Sequence, residues 1–383
     1  MVEMEPEVGE MAGPEAGLQA PAQCGRVMTA SDPPGPRQPN SPPPAGRSRV
    51  TLQVIAERLS VSTATVSLAL RGSQLVAEAT RNRVREIARE MGYSYNRSAA
   101  SLRTDRTNII GVGFHDITNP YFAELLAAIE ETAGRYDRSI LLGTYAENLD
   151  RQQRVLGTLA EYRPDGMVLC SAGGSTAESL SPLIDAGIPI VQLSREIPEL
   201  DLDFVGADDR HGANLAMEHL IGLGHRRIAF LCANESISTG RNRYAGYRDA
   251  LARHGLPFDP ALVHFDYGTR ENGLKGIQKV LDAHDPPTAA TCMNDLAAFG
   301  AMLGLRHRGL EAGSDFSIVG CDDVKEAAQW FPALTTIFNF QNEMGAKSAE
   351  FLLNRIADPT APTQRLLLTP ALHIRGTTCP PRR

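Results

Sequence analysis

Residues 50–70 read Val-Thr-Leu-Gln-Val-Ile-Ala-Glu-Arg-Leu-Ser-Val-Ser-Thr-Ala-Thr-Val-Ser-Leu-Ala-Leu. Leu52, Ile55, Ala56 and Leu59 recur at helical spacing, which predicts a short amphipathic helix. Thr51 stands where a hydroxyl accepts an orphan backbone N–H of that helix, and Ser62 stands likewise before a second. Ser60 falls at the turn between them. Val66, Ala69 and Leu70 give the second helix its inner face, and Thr63, Ala64, Ser67 and Leu68 its outer one. A third helix is expected near 78–91, with Val84, Ile87, Ala88 and Met91 inward and Gly92 as its C-cap glycine. This is the layout of a helix-turn-helix, whose second helix enters the DNA major groove. The plainer alternative is a small helical subdomain with no nucleic-acid role.

Charge favours the first reading. The 383-residue chain carries a net charge of −7, the wrong sign for nucleic acid, but residues 47–106 hold eleven arginines against five carboxylates. A cationic module on an acidic body suits phosphate contact without indiscriminate binding. A solvated charged helix at 81–89 explains part of that count but not its confinement to this stretch.

The same residues carry a family resemblance. Val50-Thr51-Leu52, Val54-Ile55-Ala56, Val61-Ser62 and Thr65-Val66-Ser67 resemble the headpiece of the lactose/galactose repressor (LacI/GalR) family. Further matching motifs follow in the family's order. They are Thr80-Arg81, Gly92-Tyr93, Ser101-Leu102-Arg103-Thr104, Ile117-Thr118-Asn119-Pro120-Tyr121-Phe122, the stretch from His219-Leu220 to Phe230, Asn294-Asp295-Leu296, and Pro332-Ala333-Leu334-Thr335-Thr336. The resemblance implies a ligand-responsive transcription regulator, most simply a repressor, acting as a homodimer on double-stranded operator DNA. It implies no cofactor and no catalysis.

Four segments are expected. Residues 1–46, rich in Pro, Gly and Ala, read as a disordered extension. Residues 47–94 read as the headpiece. Residues 95–106 hold a two-turn helix, too short to stand alone in water. The resemblance makes it a hinge helix that folds on DNA, with Asn96 as its cap and Leu102 as a wedge in the minor groove.

Residues 107–383 alternate strand and helix patterns, which predicts an α/β body of parallel sheets covered by helices on both faces. Two series of such units suggest two lobes. By resemblance to periplasmic sugar-binding proteins the chain crosses between them three times, the last two crossings near 338–342 and 362–366. The first lobe is then about 107–203 with 339–363, and the second about 204–338 with 364–383. The fold class is thus a small all-α headpiece on a two-lobed, periplasmic-binding-protein-like α/β domain.

Ligands of open α/β sheets bind beyond the strand C-termini. The polar residues there are Asp116, Asn119, Tyr121 and Phe122 after the first strand, Arg195, Asp208, Arg243 before a helix, Asn294-Asp295, and Asp322. By resemblance these contact the effector, a sugar or sugar derivative. Carboxylates and amides bind sugar hydroxyls, and Tyr121 or Phe122 can cover a sugar face. The arginines Arg195 and Arg243 would also suit an acidic sugar. Asn119, Asp208 and Asn294-Asp295 have a second reading as helix caps.

On the DNA side, Thr63, Ala64, Ser67 and Leu68 are expected to face bases, and Thr51, Ser62, Thr65 and nearby arginines to hold phosphates. Tyr93, Asn96 and Leu102 complete the DNA set. Several positions depart from the family pattern. Leu68 replaces its usual arginine or histidine, Ser60 its turn glycine, Ala77 its serine, Tyr95 its hinge proline and Ala100 a frequent arginine. Arg71 is expected to restore some DNA contact.

Other functions find less support. Gly111-Val112-Gly113 lacks the third glycine of a dinucleotide fingerprint, and no Gly-Lys-Ser/Thr phosphate loop is present. No apolar stretch reaches the roughly 18 residues of a membrane span. The six cysteines lack metal-ligand spacing, which suggests reduced core thiols in a cytoplasmic, nucleoid-associated protein. Two competing readings remain: a cytoplasmic sugar-binding module with a degenerate headpiece, and an enzyme of sugar metabolism.

Overall fold

A computed structural model describes residues 50–70, 72–93 and 106–382. The expected disordered extension and most of the hinge, with Arg71, Asn96 and Leu102, lie outside the described residues. The chain divides into two compact units at residues 95 and 96, and each is described by itself.

In the first unit, helices α1 (Leu52–Leu59), α2 (Thr63–Leu70) and α3 (Glu78–Glu90) close a miniature core. Ile55, Ala56, Val66, Ala69, Val76, Val84 and Ala88 are buried in it. Both predicted caps are made: the Val54 amide donates to Thr51 Oγ1 at 3.4 Å, and the Thr65 amide to Ser62 Oγ at 3.0 Å. Ser60 ends α1 in the left-handed region at φ 54°, where a side chain is disfavoured and glycine is at ease. Gly92, at φ 67°, follows α3, and the Tyr93 amide turns back to the Ala88 carbonyl at 2.8 Å. Arg81 donates to the Ser73 and Val76 carbonyls at 3.1 and 2.8 Å. It thereby ties the α2–α3 loop to α3.

The second unit holds two six-stranded sheets. Its elements, in chain order, are β1 (Ile109–Phe114), α4 (Pro120–Gly134), β2 (Ser139–Thr144), α5 (Leu149–Glu161), β3 (Gly166–Leu169), α6 (Ala177–Asp185), β4 (Ile190–Leu193), β5 (Asp203–Ala207) and α7 (Asp209–Gly222). There follow β6 (Ile228–Ala233), α8 (Ser238–Arg253), β7 (Val263–Phe265), α9 (Arg270–Leu281), β8 (Ala289–Cys292), α10 (Asp295–His307), β9 (Ser317–Asp322) and α11 (Lys325–Gln329). The last are β10 (Thr335–Phe338), α12 (Gln341–Ala357), β11 (Arg365–Leu368) and β12 (Ala371–His373).

The first sheet has the order β11-β5-β4-β3-β1-β2, and the second β12-β10-β9-β8-β6-β7. Every pairing is parallel except β10 with β12. The strands are buried apolar runs such as Ile228–Ala233, as sheets covered on both faces require.

The lobe boundaries differ from those expected. β5 pairs with β4 and β11, so the first lobe runs on to Ala207 and takes in 365–368. Asp203 fixes this: it meets Arg355 of α12 through both oxygens at 2.9 Å and accepts from the Gln364 amide at 2.7 Å. The crossings therefore fall at Asp208, at Asn339–Phe340, and between β11 and β12. Phe340 makes its crossing at φ 55°.

Candidate functional site

All five strands of the first lobe's β1–β5 series and β6–β9 of the second are parallel within their sheets, so their C-terminal loops converge on one cleft between the lobes. Its volume is about 290 Å³. Asp116, Asn119, Tyr121, Phe122, Arg195, Arg243, Asn294 and Asp322 all line it.

The first-lobe wall is built around Arg195. Its guanidinium donates to Glu147 Oε1 at 2.7 Å, to Glu147 Oε2 at 3.1 Å and to the Ser171 carbonyl at 3.0 Å. Its Nη2 also lies 3.0 Å from His115 Nε2. Burial first, and Arg195 second, hold the His115 imidazole well below its usual range. The ring is therefore neutral and accepts at Nε2, which leaves its proton on Nδ1, 3.7 Å from Cys170 Sγ. Phe122 sets its ring edge-on to His115, with centroids 4.4 Å apart. Tyr121 donates to Ser194 Oγ at 3.4 Å.

Arg243 anchors the second-lobe wall from α8, only 7% exposed. Its Nε donates to Asp209 Oδ1 at 2.7 Å, Nη1 donates to the Met293 carbonyl, and Nη2 stands 3.7 Å from Asp322 Oδ1. Asp322 occupies the left-handed side of backbone space at φ 119°. Burial pushes its carboxyl up to about 7; Arg243 pulls it down and Asp209 pushes it up. Asn339 donates to it at 3.3 Å, and Asn119 reaches it from the other lobe. Asn294 caps α10 through the Ala297 amide at 2.9 Å and donates to the Gly268 carbonyl at 2.9 Å.

Two predicted residues do not reach the cleft. Asp208 is exposed and caps α7, accepting the His211 amide at 3.0 Å. Asp295, 0% exposed, lies beneath the site and accepts from Thr336 Oγ1 at 2.5 Å and the Val324 amide at 2.9 Å. Asn119 has both of its expected roles: it caps α4 through the Tyr121 amide at 3.1 Å and also lines the cleft. Sequence reasoning missed His115, Glu147, Ser194, Asn234, Thr239, Tyr267 and Asn272, all of which line it, and Asp209 behind Arg243. The signal for most was their position just beyond a strand C-terminus.

In the headpiece, Thr51, Ser62, Thr63 and Ala64 are exposed, while Thr65, Leu68 and Tyr93 are half-buried. Ser67 is a correction. It is 4% exposed, because the 3.6-residue turn carries it beside Val66 toward the core, so it does not face bases.

The headpiece matches the sequence profile of bacterial regulatory proteins of the lacI family over residues 51–96. The body matches that of periplasmic binding proteins and the sugar binding domain of the LacI family over residues 107–375. The chain belongs to the LacI family. Its headpiece is the DNA-binding part of a transcriptional regulator and its body the ligand-responsive part.

The ribose operon repressor of Haemophilus influenzae is 32% identical, over 85% of this chain and 97% of its own. The repressor CytR of Escherichia coli is 32% identical, over 86% of this chain and 96% of its own. Among solved structures, the lac repressor dimer bound to operator and the anti-inducer ONPF superposes with a TM-score of 0.75 at 26% identity. It covers 87% of this chain and 100% of that one. A LacI-family regulator from Enterococcus faecium with bound ribose gives 0.66 at 28% identity, covering 72% of this chain and 100% of that one.

Proposed function

We propose that this LacI-family member is a cytoplasmic homodimeric repressor of carbohydrate or related catabolic genes, and that its cleft takes a neutral, polyhydroxylated effector. The observation that carries the effector class is the charge balance of the cleft. Both arginines are already matched, Arg195 by Glu147 and Arg243 by Asp209 and Asp322. A carboxylate on the ligand would have to displace a buried partner, at a cost of several kcal/mol. The acidic sugar expected from two arginines is therefore disfavoured. Hydroxyl groups suit the site better, since Asp116, Glu147 and Asp322 supply acceptors and Asn294, Asn272 and Arg243 supply donors. Phe122 and Tyr267 supply apolar faces.

The effector acts only through unequal affinity for the DNA-competent and DNA-incompetent states; a tenfold preference is worth about 1.4 kcal/mol. A binding role also fits the chemistry of Cys170–His115–Glu147, a constellation that resembles a nucleophile with its base. Burial pushes the Cys170 thiol up to about 11, so at neutral pH it is not a thiolate. It serves to orient the ring.

Two measurements test this. A thermal-shift screen of neutral sugars against sugar acids should raise Tm only with neutral compounds; a rise with a sugar acid alone would overturn the effector class. Selection from random DNA with the full chain should enrich a two-fold-symmetric site, altered by the same compound. A folded protein that binds the sugar but enriches no DNA at low salt would replace the repressor with a sugar-binding module.

A further inference from the structure

Helix α2 presents an unusual reading surface. In a helix-turn-helix, the N-terminal residues of the second helix meet the base edges. Guanine is most often read by Arg or Lys at O6 and N7, and adenine by Asn or Gln at N6 and N7. From Thr63 to Leu70 this helix, Thr-Ala-Thr-Val-Ser-Leu-Ala-Leu, has none of these residues and no charge of either sign. Thr63 and Ala64 are exposed, Thr65 and Leu68 half-exposed, and Ser67 is turned into the core. Ser62 and Thr65 further occupy each other, with their hydroxyl oxygens 2.8 Å apart. What remains to touch a base is mostly methyl: Ala64 Cβ, the Thr63 Cγ2 and the Leu68 branch. In the major groove, the feature that a methyl recognises is the C5-methyl of thymine. Among the described residues of the headpiece the cationic side chains lie elsewhere. Arg58 on α1 and Arg83, Arg85 and Arg89 on α3 are exposed, and they suit phosphates.

We infer that this regulator reads the bases under α2 through thymine methyl groups, with Ala64 and Leu68 as specificity-determining residues, and draws its phosphate affinity from arginines off that helix. The inference rests on the DNA-binding reading above. It deepens that reading by naming the chemistry of the half-site.

The test starts from random-DNA selection with the full-length protein, and then replaces each thymine of the enriched half-site singly by deoxyuridine, which deletes only the methyl. At one or more positions in each half-site, the change should weaken binding about threefold to fivefold. Leu68→Ala should remove the difference between thymine and uracil at one of those positions. Leu68→Arg should move the selected base there toward guanine. Leu68 also packs against the headpiece core, so the deoxyuridine series, which leaves the protein intact, decides the matter if a variant fails to fold. An enriched half-site in which every thymine-to-uracil change is silent would overturn the inference while leaving DNA binding in place. No enrichment at low salt would instead remove the reading on which it rests.

Discussion

On the first-lobe wall of the cleft, Arg195 meets one carboxylate, Glu147, which takes it with both oxygens, while His115 and the Ser171 carbonyl complete the set. On the second-lobe wall, Arg243 meets two carboxylates, Asp209 at 2.7 Å and Asp322 at 3.7 Å. On the first wall the arginine is matched by one carboxylate it bonds directly, beside a neutral imidazole, while Asp116 stands apart near the mouth. The second holds one acid more than its arginine, and there burial, with Asp209 adding to it, pushes the Asp322 carboxyl up to about 7 against the pull of Arg243. The matched wall is a fixed surface. The surplus wall has a place for a proton or for a ligand's hydroxyl donors, and a bound donor would displace the proton.

The strongest way to break this contrast is to remove the shared cation. Arg243→Ala leaves Asp209 and Asp322 buried without their cation. Breaking a buried pair in this way costs about 3–5 kcal/mol. Urea unfolding of the variant should show a loss of that order, and effector-induced Tm shifts should vanish. A variant with wild-type stability would mean that the two acids are already neutral without Arg243.

The second prediction concerns pH. Folding raises the Asp322 carboxyl from an ordinary value near 4 to about 7, so the folded state holds the proton more tightly than the unfolded one. Stability is then lost as pH rises from about 4 to about 7, with a slope of at most about 1.4 kcal/mol per pH unit. The groups facing Asp322 are Arg243, Asp209, Asp295, Tyr121, Cys321, Asn119 and Asn339, and Asp295, also raised by burial, titrates in the same direction. Asp209, raised in the same direction by burial, adds to the trend. Asp322→Asn should flatten the dependence of Tm between pH 5 and 7, where the wild type declines. Equal slopes would place the proton elsewhere.

How much of this was legible in the sequence depends on the range of the forces involved. The headpiece was readable because its determinants are local. Caps at Thr51 and Ser62 and the 3.6-residue spacing of Ile55, Leu59 and Val66 lie within a few residues of what they control. Even there Ser67 was placed on the wrong face, since Leu68 and Ser67 straddle the edge of the apolar stripe. In the body, strands were recognisable as apolar runs. The run Asp203–Ala207 carries no mark of which sheet it joins; that is decided by Arg365–Leu368 and Arg355, far along the chain. The cleft was half legible. Strand-end polar residues located it, but Asp208 was chosen where its neighbour Asp209 is the partner of Arg243, because one residue at a helix start turns a side chain by about 100°. Glu147 and His115 meet Arg195 only because β1, β2 and β4 are brought together by the sheet order.

The matched wall should respond less, and differently. Glu147→Gln keeps the shape but frees a positive charge on Arg195, which retains the Ser171 carbonyl and His115. The expected stability loss is about 1–3 kcal/mol, that of a charged hydrogen bond. The sharper readout is selectivity. The variant should now gain a Tm shift with sugar acids that the wild type lacks. Failure to gain it would show that Glu147 is not what excludes acids.

The smallest expected effect has the opposite sign in pH from that of Asp322. Folding holds His115 neutral, well below its ordinary value near 6.5, so the unfolded chain binds the proton more tightly. The stability from the neutral ring is present above about pH 6.5 and is lost as pH falls toward the depressed value. Between pH 6.5 and 5 this decline is the reverse of the gain that Asp322 gives over the same interval. His115→Gln keeps a polar group beside Arg195 without the titration. The variant should therefore gain more stability than the wild type as pH is lowered from 6.5 to 5, because only the Asp322 trend remains. Identical profiles for the two proteins would mean that the ring does not resist protonation, and that the two walls do not oppose each other in pH.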